Sequence, residues 1–328
     1  MNYFTKQKDR LVCNICSYYC KLKENQTGIC GVNKNIGEKI ECLVYGYISA
    51  LNIDPIEKKP LYHFLPSSKS LSLGTVGCNF RCSFCQNWQI SQTNNINKNN
   101  YFSPKNIVNI AIQKECESIS YTYNEPTIFY PYAKDIAVLA KEFGIKSVFV
   151  SNGFESKEVI EDFKGVIDAI NVDLKSFDEK YYKKSLGGDL NIVCDNLIRL
   201  KKNDIHLEIT TLIVPTKNDS AQELEKIVKF IKENLGIDTP WHISAFHPDY
   251  KELDINRTSN ESLQMAFDIA KSYGLNYVYR GNSNFRNETF CKNCGEVLIS
   301  REYFNVLENS LKNGCCPKCD TKIYGVFK

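Results

Sequence analysis

Between about residues 70 and 280, short apolar runs rich in β-branched residues alternate with longer segments whose apolar residues recur at the helical period. This alternation is typical of a parallel sheet with right-handed crossovers. Six or so β–α units favour a partial or complete barrel, although periodicity alone leaves a doubly wound sheet open. The pattern predicts strands at 70–73, 118–122, 146–151, 169–174, 206–213, 241–245 and 276–279, and helices at 104–115, 127–143, 156–163, 191–202, 220–235 and 260–273.

The two ends of the chain lack this alternation and carry cysteines at short spacing instead. We therefore predict an α/β protein of three units. A cysteine-rich N-terminal module covers residues 1–65, a core barrel covers 66–285, and a second cysteine module covers 286–328.

Length and charge exclude several classes of function. The chain has 328 residues and a formal net charge of +3, which is too small to favour nucleic acid or an anionic membrane as a partner. No stretch approaches the roughly 18–20 apolar residues of a membrane span. Residues 1–10 contain no apolar signal core. We therefore expect a cytoplasmic protein and neither a membrane nor a nucleic acid among its partners.

The cysteine spacing at the C-terminus predicts a zinc site. Cys291 and Cys294 form one C-x2-C pair, and Cys316 and Cys319 form a second, with 21 residues between the pairs. Four thiolates from two turns give the tetrahedral coordination of a zinc ribbon, and so small a module depends on such a metal for folding. An auxiliary iron–sulfur cluster and four simple thiols are the alternatives.

A set of four cysteines near the N-terminus is less regular. Cys13, Cys16, Cys20 and Cys30 follow the pattern C-x2-C-x3-C-x9-C. Zinc and a [4Fe–4S] cluster both accept four thiolates, so the ligand count does not decide between them. We predict a metal site here that holds either zinc or an auxiliary cluster.

A third set, Cys78, Cys82 and Cys85, supplies three thiolates from one loop after the first predicted strand. A [4Fe–4S] cluster takes four ligands, so the spacing C-x3-C-x2-C leaves one iron open to another molecule. A zinc knuckle is the competing interpretation, but zinc sites normally close with four ligands, and no fourth ligand lies nearby in the sequence. We therefore predict a [4Fe–4S] cluster with an open iron.

This motif, with Phe84 just before its last cysteine, resembles the radical S-adenosylmethionine (SAM) superfamily. Together with Cys30-Gly-Val, residues 54–64, Cys85-Gln-Asn-Trp and the terminal cysteine pairs, it resembles the radical SAM member of the AmmeMemoRadiSam system, a relative of pyruvate formate-lyase activating enzyme. The resemblance implies a [4Fe–4S] cluster and SAM as cofactors. One electron from the reduced cluster would cleave SAM to methionine and a 5′-deoxyadenosyl radical, which takes hydrogen from a substrate.

Polar residues at the ends of the predicted strands suggest where SAM would bind, because barrel sites form where parallel strands end. Asn124 and Glu125 follow the second strand, and we expect them to contact the cofactor. Glu125-Pro matches the end of a Gly-Gly-Glu-Pro motif in glycyl radical activating enzymes, whereas Tyr123-Asn124 replaces its glycines. Capping of the helix that begins at Thr127 is the alternative role for Glu125.

Three further strands add candidates. Ser151 and Asn152 resemble a Thr-Asn-Gly motif of the activating enzymes, which implies hydrogen bonds to the cofactor, while an ordinary turn is the alternative. Asp173 and Lys175 share one face of the fourth strand at period two. The resemblance places both in the active site as catalytic candidates, with a structural ion pair as the alternative. His242 matches a histidine that contacts the adenosyl group.

The resemblance implies an oxidoreductase-like radical enzyme, but no pocket residue identifies its substrate. The two added metal modules favour a stand-alone enzyme over an activating enzyme that generates a glycyl radical on a partner protein. A metal-bearing electron-transfer or binding protein without turnover is the alternative from another class. The implied partners are a one-electron donor such as flavodoxin or ferredoxin, and Memo-like proteins, AMMECR1-like proteins or a substrate protein.

Overall fold

Two small antiparallel sheets form the first part of the chain in the computed structural model, which describes residues 2–328. A hydrogen bond of 2.6 Å from Ser156 Oγ to Asn14 O, and a β-bridge between Cys16 and Glu155, join this region to the core. The strands of the first sheet are β1 (Phe4–Gln7), β2 (Arg10–Cys13) and β3 (Lys21–Leu22), and those of the second are β4 (Asn33–Ile36) and β5 (Lys39–Cys42).

Eight strands form the central sheet, and they include all seven predicted strands. The first strand runs antiparallel to the second, and the other seven run parallel to one another. The observed ends differ from the predicted ones by at most two residues. Spatial order follows chain order through β6 (Ala50–Pro55), β7 (Lys69–Gly74), β8 (Ser118–Tyr121), β9 (Lys146–Ser151), β10 (Ala169–Asp173), β11 (His206–Ile213), β12 (Trp241–Ala245) and β13 (Val278–Gly281).

Helices connect the parallel strands as predicted. Four of them begin after a serine whose side-chain oxygen accepts a hydrogen bond from the backbone N–H three residues later, which fixes where each starts. The helix predicted at 127–143 opens with a 3₁₀ turn, Pro126–Phe129. The helices are α1 (Trp88–Ser91), α2 (Pro104–Gln113), α3 (Tyr130–Glu142), α4 (Lys157–Asp162), α5 (Glu179–Tyr181, then π-helical Tyr182–Leu186), α6 (Leu190–Lys202), α7 (Ala221–Phe230, then π-helical Ile231–Leu235) and α8 (Asn260–Ser272).

The sheet curls into a partial barrel. Thr122, just after β8, and Ser244 of β12 line the same pocket, although four strand spacings separate their strands. In a flat sheet those residues would be roughly 19 Å apart. Within residues 2–328, β6 and β13 share no ladder, so the barrel stays open between them. The predicted α/β barrel is therefore confirmed in its partial form.

The segment between β6 and β7 fills the inside of the partial barrel. It begins with a 3₁₀ turn, Ile56–Lys58, and continues into a buried stretch. The backbone N–H groups of Tyr62 and His63 donate to the Glu208 carboxylate at 3.1 and 2.8 Å, and Asn171 Nδ2 donates to the Pro60 carbonyl at 2.7 Å. Residues 50–65, which lie in the predicted first unit, thus pair with and pack inside the core sheet. The division into three units stays a prediction.

The C-terminal region forms a three-stranded antiparallel sheet that packs against the barrel. Its strands are β14 (Asn287–Phe290), β15 (Val297–Glu302) and β16 (Asn305–Asn309). The fully buried Arg301 donates to the Tyr62 carbonyl at 2.7 Å, and Val326 forms a parallel bridge with Phe64. The last residues of the chain therefore pair with the segment that fills the barrel. No helix among the described residues combines the length and the apolar character needed to cross a bilayer.

Candidate active site and cysteine groups

One pocket of about 250 Å³ lies where the parallel strands end. Because the carboxyl ends of β7 to β12 meet at the same edge of the curled sheet, residues that follow different strands come together there. Nine of the ten residues predicted for the core site line this pocket. They are Cys78, Cys82, Cys85, Asn124, Glu125, Ser151, Asn152, Asp173 and Lys175.

The loop that carries the three pocket cysteines is held tightly at both ends. The Phe80 N–H donates to Cys78 Sγ at 3.4 Å, and Cys85 Sγ lies 3.1 Å from Ser91 Oγ. Gly77 has a φ of +89°, and a Cβ there would lie 2.7 Å from the Cys30 carbonyl oxygen. Glycine is therefore required for the N-terminal region to pack so closely against this loop.

The asparagine after β8 positions the cysteine loop. Asn124 Nδ2 donates to the Gly77 carbonyl at 2.9 Å, and Asn124 Oδ1 accepts from the Thr75 N–H at 3.1 Å. A second hydrogen bond to the loop comes from Asn152 Nδ2, which donates to Asn79 Oδ1 at 2.8 Å. Two of the predicted cofactor-binding asparagines thus connect strand ends to the loop.

Glu125 is buried, and its carboxylate accepts four hydrogen bonds. Oε1 accepts from the Thr127 N–H at 2.9 Å, from the Thr127 hydroxyl at 2.6 Å and from the Ser151 hydroxyl at 2.9 Å, while Oε2 accepts from the Asn152 N–H at 2.7 Å. The capping role named as the alternative is present. Burial raises the pKa of Glu125. Burial, together with the nearby Glu125 carboxylate, also raises the pKa of Glu155 to about 7.

Asp173 and Lys175 form an ion pair of 2.7 Å at the end of β10. Although burial alone would lower the pKa of Lys175, the Asp173 carboxylate raises it above its usual value, so the lysine is charged. Asp173 remains one-third exposed toward the pocket. The pair is thus both a structural ion pair and part of the pocket wall.

His242 is the predicted site residue that lies outside this pocket. Its Nε2 is 2.6 Å from Glu208 Oε2, and its ring packs edge-on against Tyr62 with centroids 4.7 Å apart. Burial favours a neutral carboxyl, but hydrogen bonds from His206 and His242 hold the pKa of Glu208 well below its usual range. His242 instead lines a second cavity that adjoins this pocket, together with Tyr62 and Ser244.

Ser244 and Thr210 line the pocket instead and are missing from the predicted site. Ser244 follows His242 by two residues, on the same face of β12 and nearer the carboxyl end. Thr210 lies on the neighbouring strand, β11. Its hydroxyl is buried without a hydrogen-bond partner among residues 2–328. That hydroxyl is available to a bound molecule. Both residues can be found from the sequence by counting every second residue along the strand toward its carboxyl end.

Cys291, Cys294, Cys316 and Cys319, called here the C-terminal cysteine group, form a compact cluster in which all four sulfurs lie within 4.8 Å of one another. Sγ–Sγ distances are 3.5 Å for Cys291–Cys319 and 3.6 Å for Cys294–Cys316. Four thiolates at the Zn–S bond length of about 2.3 Å around one ion give sulfur separations near ~3.8 Å. The group therefore has the geometry of a site for a single metal ion.

Cys13, Cys16, Cys20 and Cys30, called here the N-terminal cysteine group, are more widely spaced. In the described chain, no three of their sulfurs come within 4.8 Å of one another. Burial raises the pKa of Cys13 to about 12, and it also raises the pKa of Cys16. Asn33 Nδ2 lies 3.4 Å from Cys30 Sγ and donates to the Ile128 carbonyl at 2.7 Å.

Comparison with known proteins agrees with this geometry. A family model described as the radical SAM superfamily matches residues 72–231. An uncharacterized protein of Methanocaldococcus jannaschii is 40% identical over 328 residues, which are 98% of this chain and 97% of that protein. The pyruvate formate-lyase-activating enzyme of Clostridium pasteurianum is 23% identical over 198 residues, covering 56% of this chain and 83% of the enzyme.

A solved structure shares the fold. A radical SAM methyltransferase from Sphaerobacter thermophilus aligns with a TM-score of 0.53 and 13% identity, over 67% of this chain and 68% of that one. The matched family segment contains the three pocket cysteines and strands β8 to β11. Residues 72–231 therefore form a radical SAM domain.

Proposed function

We propose that the protein is a radical SAM enzyme that cleaves SAM reductively and abstracts a hydrogen atom from a substrate. The convergence of nine predicted residues on one pocket is the observation that carries this proposal. Three of them are thiols from one loop, and six are polar residues from the ends of three successive strands. The donor set fits a cluster with three thiolate ligands, because all three thiols face the same pocket.

In this proposal, Cys78, Cys82 and Cys85 bind a [4Fe–4S] cluster. A cluster held there would supply one electron, delivered by a flavodoxin or ferredoxin, for the reductive cleavage of SAM to methionine and a 5′-deoxyadenosyl radical that would take a hydrogen atom from the substrate. The chain's residues supply binding and orientation. Asp173 accepts hydrogen bonds from SAM, and Lys175 holds the Asp173 carboxylate in place.

Glu125 acts as a positioning residue in this site. Its four hydrogen bonds hold Thr127, Ser151 and the Asn152 N–H in one arrangement. Asn152 in turn ties the end of β9 to the cysteine loop. The Ser151 and Thr210 hydroxyls and the Asn152 amide then present polar groups to SAM.

The flanking cysteine groups hold further metals in this proposal. We propose zinc in the C-terminal group, and zinc or an auxiliary cluster in the N-terminal group. We also place the chain in the radical SAM branch of the AmmeMemoRadiSam system, with Memo-like or AMMECR1-like proteins as partners.

The second candidate is an activating enzyme that generates a glycyl radical on a partner protein. The likeness to the Clostridium pasteurianum pyruvate formate-lyase-activating enzyme favours it. A glycyl radical signal by electron paramagnetic resonance (EPR) in a candidate partner chain, formed only with SAM and reductant, would establish this activity.

Anaerobic SAM cleavage tests the main proposal. We expect protein reconstituted with iron and sulfide, and reduced with dithionite, to form 5′-deoxyadenosine, measured by mass spectrometry. The Cys78→Ala/Cys82→Ala/Cys85→Ala variant should form none above background. Cys116→Ala, which removes a buried thiol outside the three cysteine sets, is the control and should match wild type. Equal product from wild type and the triple variant would refute the proposal.

A further inference from the structure

A second cavity, of about 460 Å³, adjoins the candidate active site beside β12 and β13. A third cavity, of about 280 Å³, continues from it toward the C-terminal sheet. We call the second and third cavities together the side cleft. Their size suits a small organic molecule. The second cavity shares Gln86, Asn87, Thr122, Tyr123, Ser244 and Asn282 with the cofactor pocket, so the two spaces lie side by side.

Positive charge predominates in the side cleft. Arg257 and Arg280 line the third cavity, and in the described chain neither has a carboxylate within ion-pair distance. Lys58 and Lys59 line the second cavity and share the single carboxylate of Asp54, at 2.8 and 2.6 Å.

One carboxylate, that of Glu57, lines the cleft among residues 2–328. Arg301 Nε lies 3.9 Å from Glu57 Oε1, which also accepts the Ser67 N–H at 2.8 Å. Glu57 therefore does not neutralise the cleft's arginines. The cleft therefore carries uncompensated positive charge, which favours an anionic ligand.

The two arginines are held in place by contacts that leave their charge unpaired. The Arg280 guanidinium lies over the Phe285 ring at 3.8 Å and the Phe267 ring at 4.5 Å. Its Nε is buried and has no hydrogen-bond partner among residues 2–328. Arg257 Nη2 donates to the Asn282 carbonyl at 2.7 Å. Fixed guanidinium groups of this kind bind carboxylates and phosphates well.

An aromatic side chain from the C-terminal sheet completes the cleft. Phe304 lines both cavities. It belongs to a two-residue turn between β15 and β16, in which Tyr303 has a φ of +52°. Turns of this length favour glycine or asparagine at such a position. Phe304, Tyr62 and Tyr123 are the aromatic side chains other than His242 that line the second cavity.

We infer that the side cleft binds the substrate of this enzyme, and that the substrate is a small organic anion rather than a glycine loop of a partner protein. This inference rests on the proposed radical SAM function. The carboxylate or phosphate of the substrate binds at Arg257 and Arg280. Its apolar body packs against Phe304 and the tyrosines, and its reacting carbon extends past Ser244 toward the cofactor pocket.

Ligand-observed NMR on the reconstituted protein tests the inference with phenyl phosphate, phenylacetate and the neutral phenylacetamide. We expect at least one anion to bind and the amide not to bind. Arg257→Gln should weaken anion binding about tenfold or more, the loss expected for a charge-assisted hydrogen bond. Arg10→Gln, which removes an exposed arginine on β2, should bind as wild type does.

The outcomes separate the sources of the anionic group. Binding of phenyl phosphate alone supports a phosphate substrate, and binding of phenylacetate alone supports a carboxylate. Binding of neither anion, equal binding of the amide, or unchanged binding by Arg257→Gln would overturn the inference. Arg257 is exposed, so its replacement should leave the melting temperature unchanged, whereas Arg280→Gln removes ring contacts and serves as the second variant.

Two further measurements complete the test. Displacement of the bound anion by a glycine-centred peptide, at a concentration where a scrambled peptide has no effect, would overturn the inference in favour of a protein substrate. SAM cleavage by wild type is measured on the same preparation. Loss of anion binding with SAM cleavage intact overturns this inference alone, whereas anion binding without SAM cleavage overturns the proposed function.

Discussion

The two four-cysteine groups at the ends of the chain differ in geometry although they have the same ligand count. In the C-terminal group, each C-x2-C pair lies in a turn closed by the same two backbone hydrogen bonds. Gly295 N donates to Cys291 O at 3.0 Å and Asp320 N to Cys316 O at 2.9 Å, while the N–H of each first cysteine donates to the carbonyl five residues on. The N-terminal cysteines come from a strand and irregular segments without this repeat.

The electrostatic surroundings vary within the C-terminal group itself: the Glu296 backbone N–H lowers the pKa of Cys294, but hydrogen bonds shared with the other three thiols raise it to about 12. A hydrogen bond from the Thr321 hydroxyl lowers the pKa of Cys319 to about 6, which favours the thiolate that binds metals. Burial raises the pKa of Cys13 to about 12. The sulfur positions of the C-terminal group thus suit one ion. The wider N-terminal spacing suits a cluster in which each thiolate binds a separate iron.

Removing one C-terminal ligand should have the largest effect. We expect Cys316→Ala to lose one zinc per chain and to unfold the C-terminal sheet, because structural zinc contributes about 10 kcal/mol or more to the folding of such modules. Metal analysis and limited proteolysis after residue 286 would measure this. Cys315→Ala is the matched control, since its sulfur lies outside the group. Equal metal loss from both variants would contradict the assignment.

Metal content without the active-site cluster should separate the two groups. In the Cys78→Ala/Cys82→Ala/Cys85→Ala variant we expect about four irons, from an N-terminal [4Fe–4S] cluster, and one zinc per chain. Adding Cys30→Ala should remove the iron. Adding Cys42→Ala, a neighbouring thiol outside the N-terminal group, should leave it in place. Two zincs and no iron would show that both groups bind single ions despite their different spacing.

The Thr321 contact should have a smaller effect. Thr321 Oγ1 lies 3.2 Å from Cys319 Sγ. Thr321→Val keeps the shape and removes the hydroxyl, so zinc affinity should fall about tenfold, as for other residues that support metal ligands. Competition with a chelator at pH 7 measures the affinity. An unchanged affinity would mean that the hydroxyl does not stabilise the thiolate.

The weakest expected effect concerns how the C-terminal sheet is attached to the barrel. Burial lowers the pKa of His63 to about 3, and its ring nitrogens lie 2.6 Å from Tyr324 O and from Tyr279 Oη. The unfolded chain binds a proton near pH 6.5 while the folded chain does not, so stability falls as pH drops below about 6.5 and rises with pH up to that value.

When the pH is lowered from 7.5 to 6.0, protonation of this histidine in the unfolded chain should reduce the free energy of unfolding by about 1 kcal/mol. His63→Gln should remove that part of the pH dependence, measured by thermal unfolding at both pH values. His247→Gln, at an exposed position, is the control. The same pH dependence in His63→Gln and wild type would show that His63 is not the group responsible.

The sequence predicted the barrel strands well because each is a short segment with apolar residues in a run or at every second position. Predicting that the pocket residues lie together required one further principle, namely that the carboxyl ends of parallel strands meet at the same edge of the sheet. Residues such as Glu125, Ser151 and Asp173 therefore came together as expected. The sequence did not predict that β6 adds an antiparallel edge strand, since a short strand of mixed polarity has no distinctive period.

Other features of the site depend on contacts between distant segments. His242 was expected in the cofactor pocket, but it contacts Glu208 and Tyr62 and lines the second cavity instead. The side cleft joins Lys59, Arg280 and Phe304, which come from three separate parts of the chain. No local pattern indicates such a combination.

The sequence by itself determined the parallel β–α order, the three-cysteine loop and the polar residues that follow each strand, because these depend on local spacing and on which residues must be buried. Only the tertiary structure decided how far the sheet curls, which strand residue reaches the pocket, and how the C-terminal sheet completes the side cleft. Those outcomes depend on packing between segments far apart in sequence, where burial of one side chain is set by its neighbours rather than by its own period.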